Sequence, residues 1–189
     1  MNRLHQWLCS SRLWAQNVEQ SYLPTALADV ALGDDVLELG PGFGATTRVL
    51  VRHCPRLTAL ELDRAYAEHV RRALGDAVRV VLGDATRMPF EDASFSGVVC
   101  FTMLHHVPSS ALQDALFAEA HRVLRPGGVF AGADSTASLL LRLLHVADTM
   151  VLVEPRTLAA RLEAVGFHDV HVARLTSAFR FSATKPVPS

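Results

Sequence analysis

Two hydrophobic patterns alternate along the chain. Short, nearly continuous apolar runs predict buried strands, and each is followed by a longer segment whose apolar residues have helical spacing. Glycine, proline and aspartate, which favour turns, separate the two kinds of segment. Strands are predicted at 35–39 (DVLEL), 57–62 (LTALEL), 78–82 (VRVVL), 95–101 (FSGVVCF), 129–133 (VFAGA), 169–175 and 178–184.

The segments between these runs predict helices of a length suited to crossover connections. Alternating strands and helices indicate a parallel sheet covered on both faces, and right-handed crossovers make it doubly wound. The last two strands are separated by a short turn, so they predict an antiparallel hairpin. Helices are predicted at 4–30 (with a second piece from Pro24), 45–53, 64–74, from Ser109 or Ser110 to the Pro126-Gly127-Gly128 turn, at 138–150 and at 155–165.

Composition restricts the class of protein. The chain has 189 residues, of which 50% are hydrophobic and 20% charged, which suits a single domain with one core. A net charge of -1 gives no reason to expect nucleic acid or an anionic membrane as partner. Cys9, Cys54 and Cys100 form no CxxC pair, so neither a disulfide framework nor a metal site is expected. Without a signal-peptide pattern or a membrane-spanning run, we expect a cytoplasmic protein.

A glycine-rich loop, ELGPGFG at 38–44, follows the first strand and precedes a helix. Gly40, Gly42 and Ala45 satisfy the dinucleotide fingerprint G-x-G-x-x-G/A, which lets a ligand approach the backbone. Glu61 ends the second strand, where a carboxylate can accept hydrogen bonds from ribose hydroxyls. These features fit a nicotinamide dinucleotide and an adenosyl cofactor equally well.

Further motifs distinguish the two cofactors. GDATRMPFEDASF at 83–95, FTMLHHV at 101–107 and RVLRPGGVF at 122–130 follow VLELGPGFG and Glu61 in order. With them, residues 34–185 resemble the class I S-adenosylmethionine-dependent methyltransferases, particularly the small-molecule branch. The resemblance implies an α/β, Rossmann-like, doubly wound seven-stranded sheet, mostly parallel with an antiparallel C-terminal hairpin strand. It also implies one domain over 1–189, with 1–30 as a helical segment or lid.

The resemblance assigns S-adenosylmethionine as cofactor and gives each site residue a role. The glycine loop and the acid before it would hold the methionine end, and Glu61 the ribose. Asp84 would accept a hydrogen bond from the adenine amine, beside the Ala85 backbone N–H. The implied cofactor-binding residues are Glu38, Gly40, Gly42, Gly44, Glu61, Leu62, Asp84, Ala85, Phe101 and Thr102.

Methyl transfer is an in-line displacement that mainly requires alignment of the reacting atoms. A general base helps when the acceptor must lose a proton, and His105 and His106, after the fourth strand, are the candidates. The alternative is that one of them only packs or caps the loop. Tyr22 is a candidate substrate-side residue that closes over the site or packs on the core.

Three functions fit the sequence to different degrees. A methyltransferase explains every motif, with a compact, hydrophobic small molecule as acceptor because no large substrate domain is inserted. An NAD(P)-dependent oxidoreductase explains the glycines and Glu61 but not Asp84 or the closing hairpin. A non-catalytic protein with the same fold is the third. The apolar stretch 139–153 is interpreted as core, as a lipophilic substrate cap or as a homodimer face.

Overall fold

The computed structural model describes residues 11–136 and 150–188. The strands are β1 (Asp35–Leu39), β2 (Arg56–Glu61), β3 (Arg79–Leu82), β4 (Phe95–Phe101), β5 (Leu124–Ser135), β6 (His168–Arg174) and β7 (Ala178–Thr184). The α-helices are α1 (Arg12–Asn17), α2 (Leu23–Ala26), α3 (Thr47–Leu50), α4 (Arg64–Leu74), α5 (Ser110–Val123) and α6 (Pro155–Ala164). The helix predicted at 138–150 falls almost entirely outside the described residues, as do the start of the helix predicted at 4–30 and most of the stretch 139–153.

The seven strands form one sheet in the order β3-β2-β1-β4-β5-β7-β6. The first five are parallel, β7 is antiparallel to β5, and β6 is antiparallel to β7. This confirms the predicted fold class. The chain crosses between β1 and β4, and in open α/β sheets ligands bind at the carboxyl ends of the strands next to such a switch point.

Side chains of the central strands alternate between two hydrophobic layers. In β1, Leu37 and Leu39 pack on the side of α5 and α6, whereas Val36 packs on the other side with α4. In β4, Val98 belongs to the same layer as Leu37, and Val99 to the same layer as Val36. Because both faces are covered, the strands consist of nearly continuous apolar runs, and the sheet is a rigid support for the loops at its carboxyl edge.

The N-terminal segment is less regular than predicted. After α1 the chain forms a π-helical turn at Val18–Tyr22, and α2 ends at Ala26 rather than at Val30. Asp29 has a φ of 65°, a left-handed conformation that a helix cannot continue through. The helix predicted at 45–53 is also shorter: only Thr47–Leu50 is α-helical, with turns on both sides.

The turn at Pro126-Gly127-Gly128 does not end α5, as the sequence predicted. The helix ends at Val123, and β5 begins directly at Leu124. Leu124 pairs with Phe95, whereas the next pair is Gly97 with Val129, so the proline and glycines form a bulge within the strand. A bulge accommodates proline because its unpaired residues need no ladder hydrogen bond.

No helix within residues 11–136 and 150–188 combines the length and the hydrophobicity needed to cross a bilayer.

Candidate functional site

A cavity of about 620 Å³ lies at the carboxyl edge of the sheet, beside the switch point between β1 and β4. This volume is within the range of small-molecule and cofactor sites. Its walls come from the glycine loop, the segments that follow β2, β3 and β4, and one residue of α1. The topology therefore brings together segments that are distant in sequence.

Two hydrogen bonds donated by backbone N–H groups hold the glycine loop. The Gly40 N–H donates to the Leu60 carbonyl (2.9 Å), and the Gly42 N–H donates to Glu61 Oε2 (3.0 Å). Gly42 has a φ of 55°, and a Cβ there would meet no atom within 4 Å, so its backbone borders open space. Gly44 does not line the cavity; a Cβ there would lie 3.4 Å from Val70, on the side of α4.

Glu61 and Asp84 both line the cavity. The Glu61 carboxylate is 7% exposed and accepts hydrogen bonds from the Gly42 N–H and, at Oε1, from the Asp63 N–H (2.9 Å). Asp84 Oδ1 accepts hydrogen bonds from the Thr86 N–H (2.8 Å) and hydroxyl (2.9 Å). Because a carboxylate has about four acceptor sites, both groups retain capacity for donors on a ligand.

Glu38 lies behind the glycine loop, outside the cavity wall, with an exposed fraction of 1%. Its Oε1 accepts a hydrogen bond from the Thr46 hydroxyl, and Thr46 itself lines the cavity. Its Oε2 has no hydrogen-bond partner in the described part of the chain. Burial raises the pKa of Glu38 to about 7; the hydroxyl groups of Thr46 and Thr47 oppose the rise, and the charge of Glu61 adds a smaller increase.

The other predicted cofactor residues lie on the cavity wall: Leu62, Ala85, Phe101 and Thr102. Leu62 is 71% exposed, so its side chain is available for contact with a flat ligand. Thr102 has a φ of 48°, and its N–H donates to the Ala133 carbonyl (2.9 Å). A β-branched residue rarely adopts this backbone conformation, and such strain is concentrated at functional sites.

The structure separates the two histidines. His106 lines the cavity, whereas His105 is buried outside it. Asp134 pairs with His105 Nδ1 at 2.5 Å and accepts the His105 backbone N–H at 3.1 Å. Of the two histidines, only His106 is on the cavity wall, and the pairing of His105 with Asp134 matches the alternative that one of them packs and anchors the loop.

Tyr22 does not line the cavity either, and of its two predicted alternatives it follows the second, packing on the core. Its hydroxyl donates to the Ala133 carbonyl (3.0 Å), and its ring packs against Phe101 with centroids 6.1 Å apart. Trp14, which packs on the other side of Tyr22 (5.8 Å), lines the cavity instead.

Reasoning from the sequence missed several residues of the cavity wall, among them Trp14, Thr46 and Met103. Met103 lies so close to the glycine loop that a Cβ on Gly40 would come within 2.5 Å of its Cγ. Thr46 and Met103 lie within or beside recognised motifs, so they could have been predicted from their positions in the sequence. Trp14 could not have been predicted in this way, because it is far in sequence from the other residues of the cavity wall.

Gly42 and Gly75 are a matched pair for testing whether the cavity binds a ligand. Their φ values are 55° and 54°, and neither would meet an atom within 4 Å on gaining a Cβ. We expect Gly42→Ala and Gly75→Ala each to lose at least about 1 kcal/mol of stability through backbone strain. Only Gly42→Ala should weaken S-adenosylhomocysteine binding, by roughly tenfold, about 1.4 kcal/mol. Calorimetric titration measures this, and equal losses in both variants would contradict it.

Among residues 11–136 and 150–188, no group of three or more His, Cys, Asp or Glu side chains is arranged to hold a metal ion.

Comparison with known proteins identifies relatives in sequence and in fold. A family model described as a methyltransferase domain matches residues 37–132, just over half of the chain. A Mycolicibacterium smegmatis protein, described as a probable S-adenosylmethionine-dependent methyltransferase, is 35% identical over 123 residues, covering 65% of this chain and 46% of that protein. The ribosomal RNA small subunit methyltransferase A of Prosthecochloris aestuarii is 48% identical over 44 residues, covering 23% of this chain and 17% of that protein.

The chain thus spans less than half the length of either relative. Similarity of fold extends over almost the whole chain. A solved structure of a Pyrococcus horikoshii protein superposes with a TM-score of 0.80 at 15% identity, covering 94% of this chain and 93% of that one.

Proposed function

Because the chain belongs to the class I S-adenosylmethionine-dependent methyltransferases, we propose that it transfers a methyl group from S-adenosylmethionine to a small, largely apolar acceptor. One observation carries the proposal: a single cavity is bordered by the open backbone of Gly42, the carboxylate of Glu61 and the carboxylate of Asp84. These three groups suit, in turn, an amino-acid arm, a ribose and an adenine. They lie at the carboxyl ends of the neighbouring strands β1, β2 and β3, in the same order.

The residues present fit this cofactor. Glu61 and Asp84 offer acceptors where the ribose hydroxyls and the adenine amine have donors, and the backbone around Gly42 leaves room for close approach. The buried Glu38 Oε2, without a hydrogen-bond partner in the described part of the chain, suits a nearby ammonium group. When bound, S-adenosylmethionine supplies a methyl group on a sulfonium, which is the electrophile of the reaction.

The chain itself contributes orientation, exclusion of water and, for some acceptors, proton transfer. Phe101 and Thr102 are held at the end of β4 by the sheet, and the Asp134–His105 pair anchors the turn that follows. Orientation of this kind is worth roughly 7–11 kcal/mol in favourable cases. His106, on the cavity wall, is placed to accept the proton that an oxygen, nitrogen or sulfur acceptor loses.

The charge of the cavity supports a small, non-anionic acceptor. Its charged lining residues among those described are Glu61, Asp63 and Asp84, and neither lysine nor arginine lines it there. Proteins that bind nucleic acid gain much of their affinity from basic groups on phosphates, and this cavity offers none in the described part of the chain. The matches to ribosomal RNA methyltransferases are short and give no contrary reason.

Two measurements test the proposal. S-adenosylhomocysteine should raise the melting temperature of the purified chain, whereas NADH should not, because binding to the native state alone is stabilising. With methyl-labelled S-adenosylmethionine and a cell extract, label should appear in the small-molecule fraction. Stabilisation by NADH alone would refute the cofactor assignment, and label confined to RNA or protein would refute the acceptor class.

A further inference from the structure

The cavity has two chemically different sides. Its three carboxylates all follow β2 and β3. The opposite side, at the end of β4 and beside α1, is lined mainly by apolar residues together with one histidine, including Trp14, Phe101, Met103, His106, Val107 and Leu112. Since the proposed adenosine site occupies the acidic side, the apolar side is where an acceptor would meet the methyl group.

A helix cap and a chain of ring contacts hold Trp14 on this apolar side. The Ser11 hydroxyl caps α1 by accepting the Trp14 N–H at 3.1 Å. The Trp14 ring packs on Tyr22, and Tyr22 packs edge-on against Phe101 of β4. Burial, together with the charge of Asp134, raises the pKa of Tyr22, so its hydroxyl stays protonated and donates to the Ala133 carbonyl of β5. The tryptophan therefore belongs to the β4–β5 side of the site.

The π-helical turn at Val18–Tyr22 explains how α1 reaches the cavity. A π-turn accommodates one more residue than an α-turn, which changes the direction of the side chains that follow by roughly 100°. Val18, within the turn, is fully buried, so the segment is fixed to the body of the domain. With the side chains turned in this way, the Tyr22 hydroxyl bonds the Ala133 carbonyl while Trp14 lines the cavity.

We infer that Trp14 is the specificity-determining wall of an acceptor subsite, which takes an apolar molecule that is neutral or carries an amine, and rejects carboxylates. The inference rests on the proposed function. An indole ring attracts apolar groups and cations through its face. A carboxylate would enter a cavity that already holds three carboxylates and would find no lysine or arginine among the described lining residues.

The test uses the full chain saturated with S-adenosylhomocysteine and three probes that share one ring: 2-phenylethanol, 2-phenylethylamine and phenylacetate. Calorimetric titration should show binding of the alcohol and the amine, and at least tenfold weaker binding of phenylacetate. Trp14→Ala should weaken the first two at least tenfold but S-adenosylhomocysteine less than threefold, and Trp14→Phe should restore most of the affinity. Leu13→Ala, at a neighbouring position that is 79% exposed, should change neither.

A second readout does not depend on the stability of a Trp14 variant. The chain has two tryptophans, so Trp14 is the sole one in a Trp7→Phe protein. Acrylamide quenching of its fluorescence should fall when 2-phenylethylamine is added to the S-adenosylhomocysteine complex.

The outcomes separate the two proposals. Failure of S-adenosylhomocysteine to bind the unmodified chain would refute the proposed function. If it binds, but phenylacetate binds as well as the amine, none of the probes binds, or Trp14→Ala weakens the probes and S-adenosylhomocysteine equally, the acceptor subsite alone is refuted. Unchanged quenching of Trp14 with bound amine would also refute it.

Discussion

Replacing Glu61 by alanine should lower the affinity for S-adenosylhomocysteine by about 100-fold or more, roughly 3 kcal/mol. The carboxylate is the acceptor proposed for both ribose hydroxyls, and hydrogen bonds to charged groups contribute about 1.5–3 kcal/mol each. It also accepts the Gly42 and Asp63 N–H groups, so its removal loosens the glycine loop as well. Calorimetric titration of the purified variant measures the loss.

The two contributions of Glu61 can be separated with adenosine and 3′-deoxyadenosine as competing ligands. The unmodified chain should prefer adenosine, whereas Glu61→Ala should bind the two equally, because the partner of the missing hydroxyl is gone. Glu68→Ala removes an exposed acid of α4 outside the cavity and serves as the control. A preference for adenosine that survives in Glu61→Ala would show that this carboxylate does not bind the ribose.

The second large effect is a dependence of stability on pH that originates at Glu38. Because burial raises its pKa from 4.5 to about 7, the folded chain favours the protonated form. Its contribution to stability is complete below pH 4.5 and is lost as the pH rises through about 7. This loss amounts to up to about 3 kcal/mol. Urea unfolding between pH 5 and 8.5 should show the decrease in the unmodified chain and a smaller decrease in Glu38→Gln.

Because other ionisable groups also contribute to the pH dependence of stability, the difference between the two proteins is the relevant quantity. Glu68→Gln changes an exposed glutamate and should leave the pH dependence intact. The proposed ammonium group near Glu38 favours the ionised carboxylate, so the affinity for S-adenosylhomocysteine should rise over this pH window in the unmodified chain only. Identical pH profiles for Glu38→Gln and the unmodified chain would contradict the account.

The sheet could be predicted from the sequence because buried parallel strands must be almost continuously apolar. Strands β1, β4 and β7 have the predicted bounds, and α4 begins after its predicted N-cap, Asp63, which accepts hydrogen bonds from the Ala65 and Tyr66 N–H groups. Bulges and irregular turns were not predictable in this way. Where β5 begins depends on its pairing with Phe95, a contact between residues distant in sequence.

The site was predictable where a motif fixes the backbone, and not where packing decides which side chain faces the cavity. The glycines, Glu61 and Asp84 follow strand ends, so the topology alone brings them together. His105 and His106 are adjacent in sequence, and the buried pairing with Asp134 decides which of them is presented. Trp14 lines the cavity and Tyr22 does not; the π-helical turn that follows α1 sets the direction of these side chains, and no local pattern in the sequence indicates it.

The most direct test of the central claim is a crystal structure of the chain with bound S-adenosylhomocysteine. We expect the ligand to cross the carboxyl ends of β1, β2 and β3, with its ribose hydroxyls hydrogen-bonded to Glu61 and its adenine amine to Asp84. A ligand bound elsewhere, or bound there with both carboxylates directed away from it, would contradict the account.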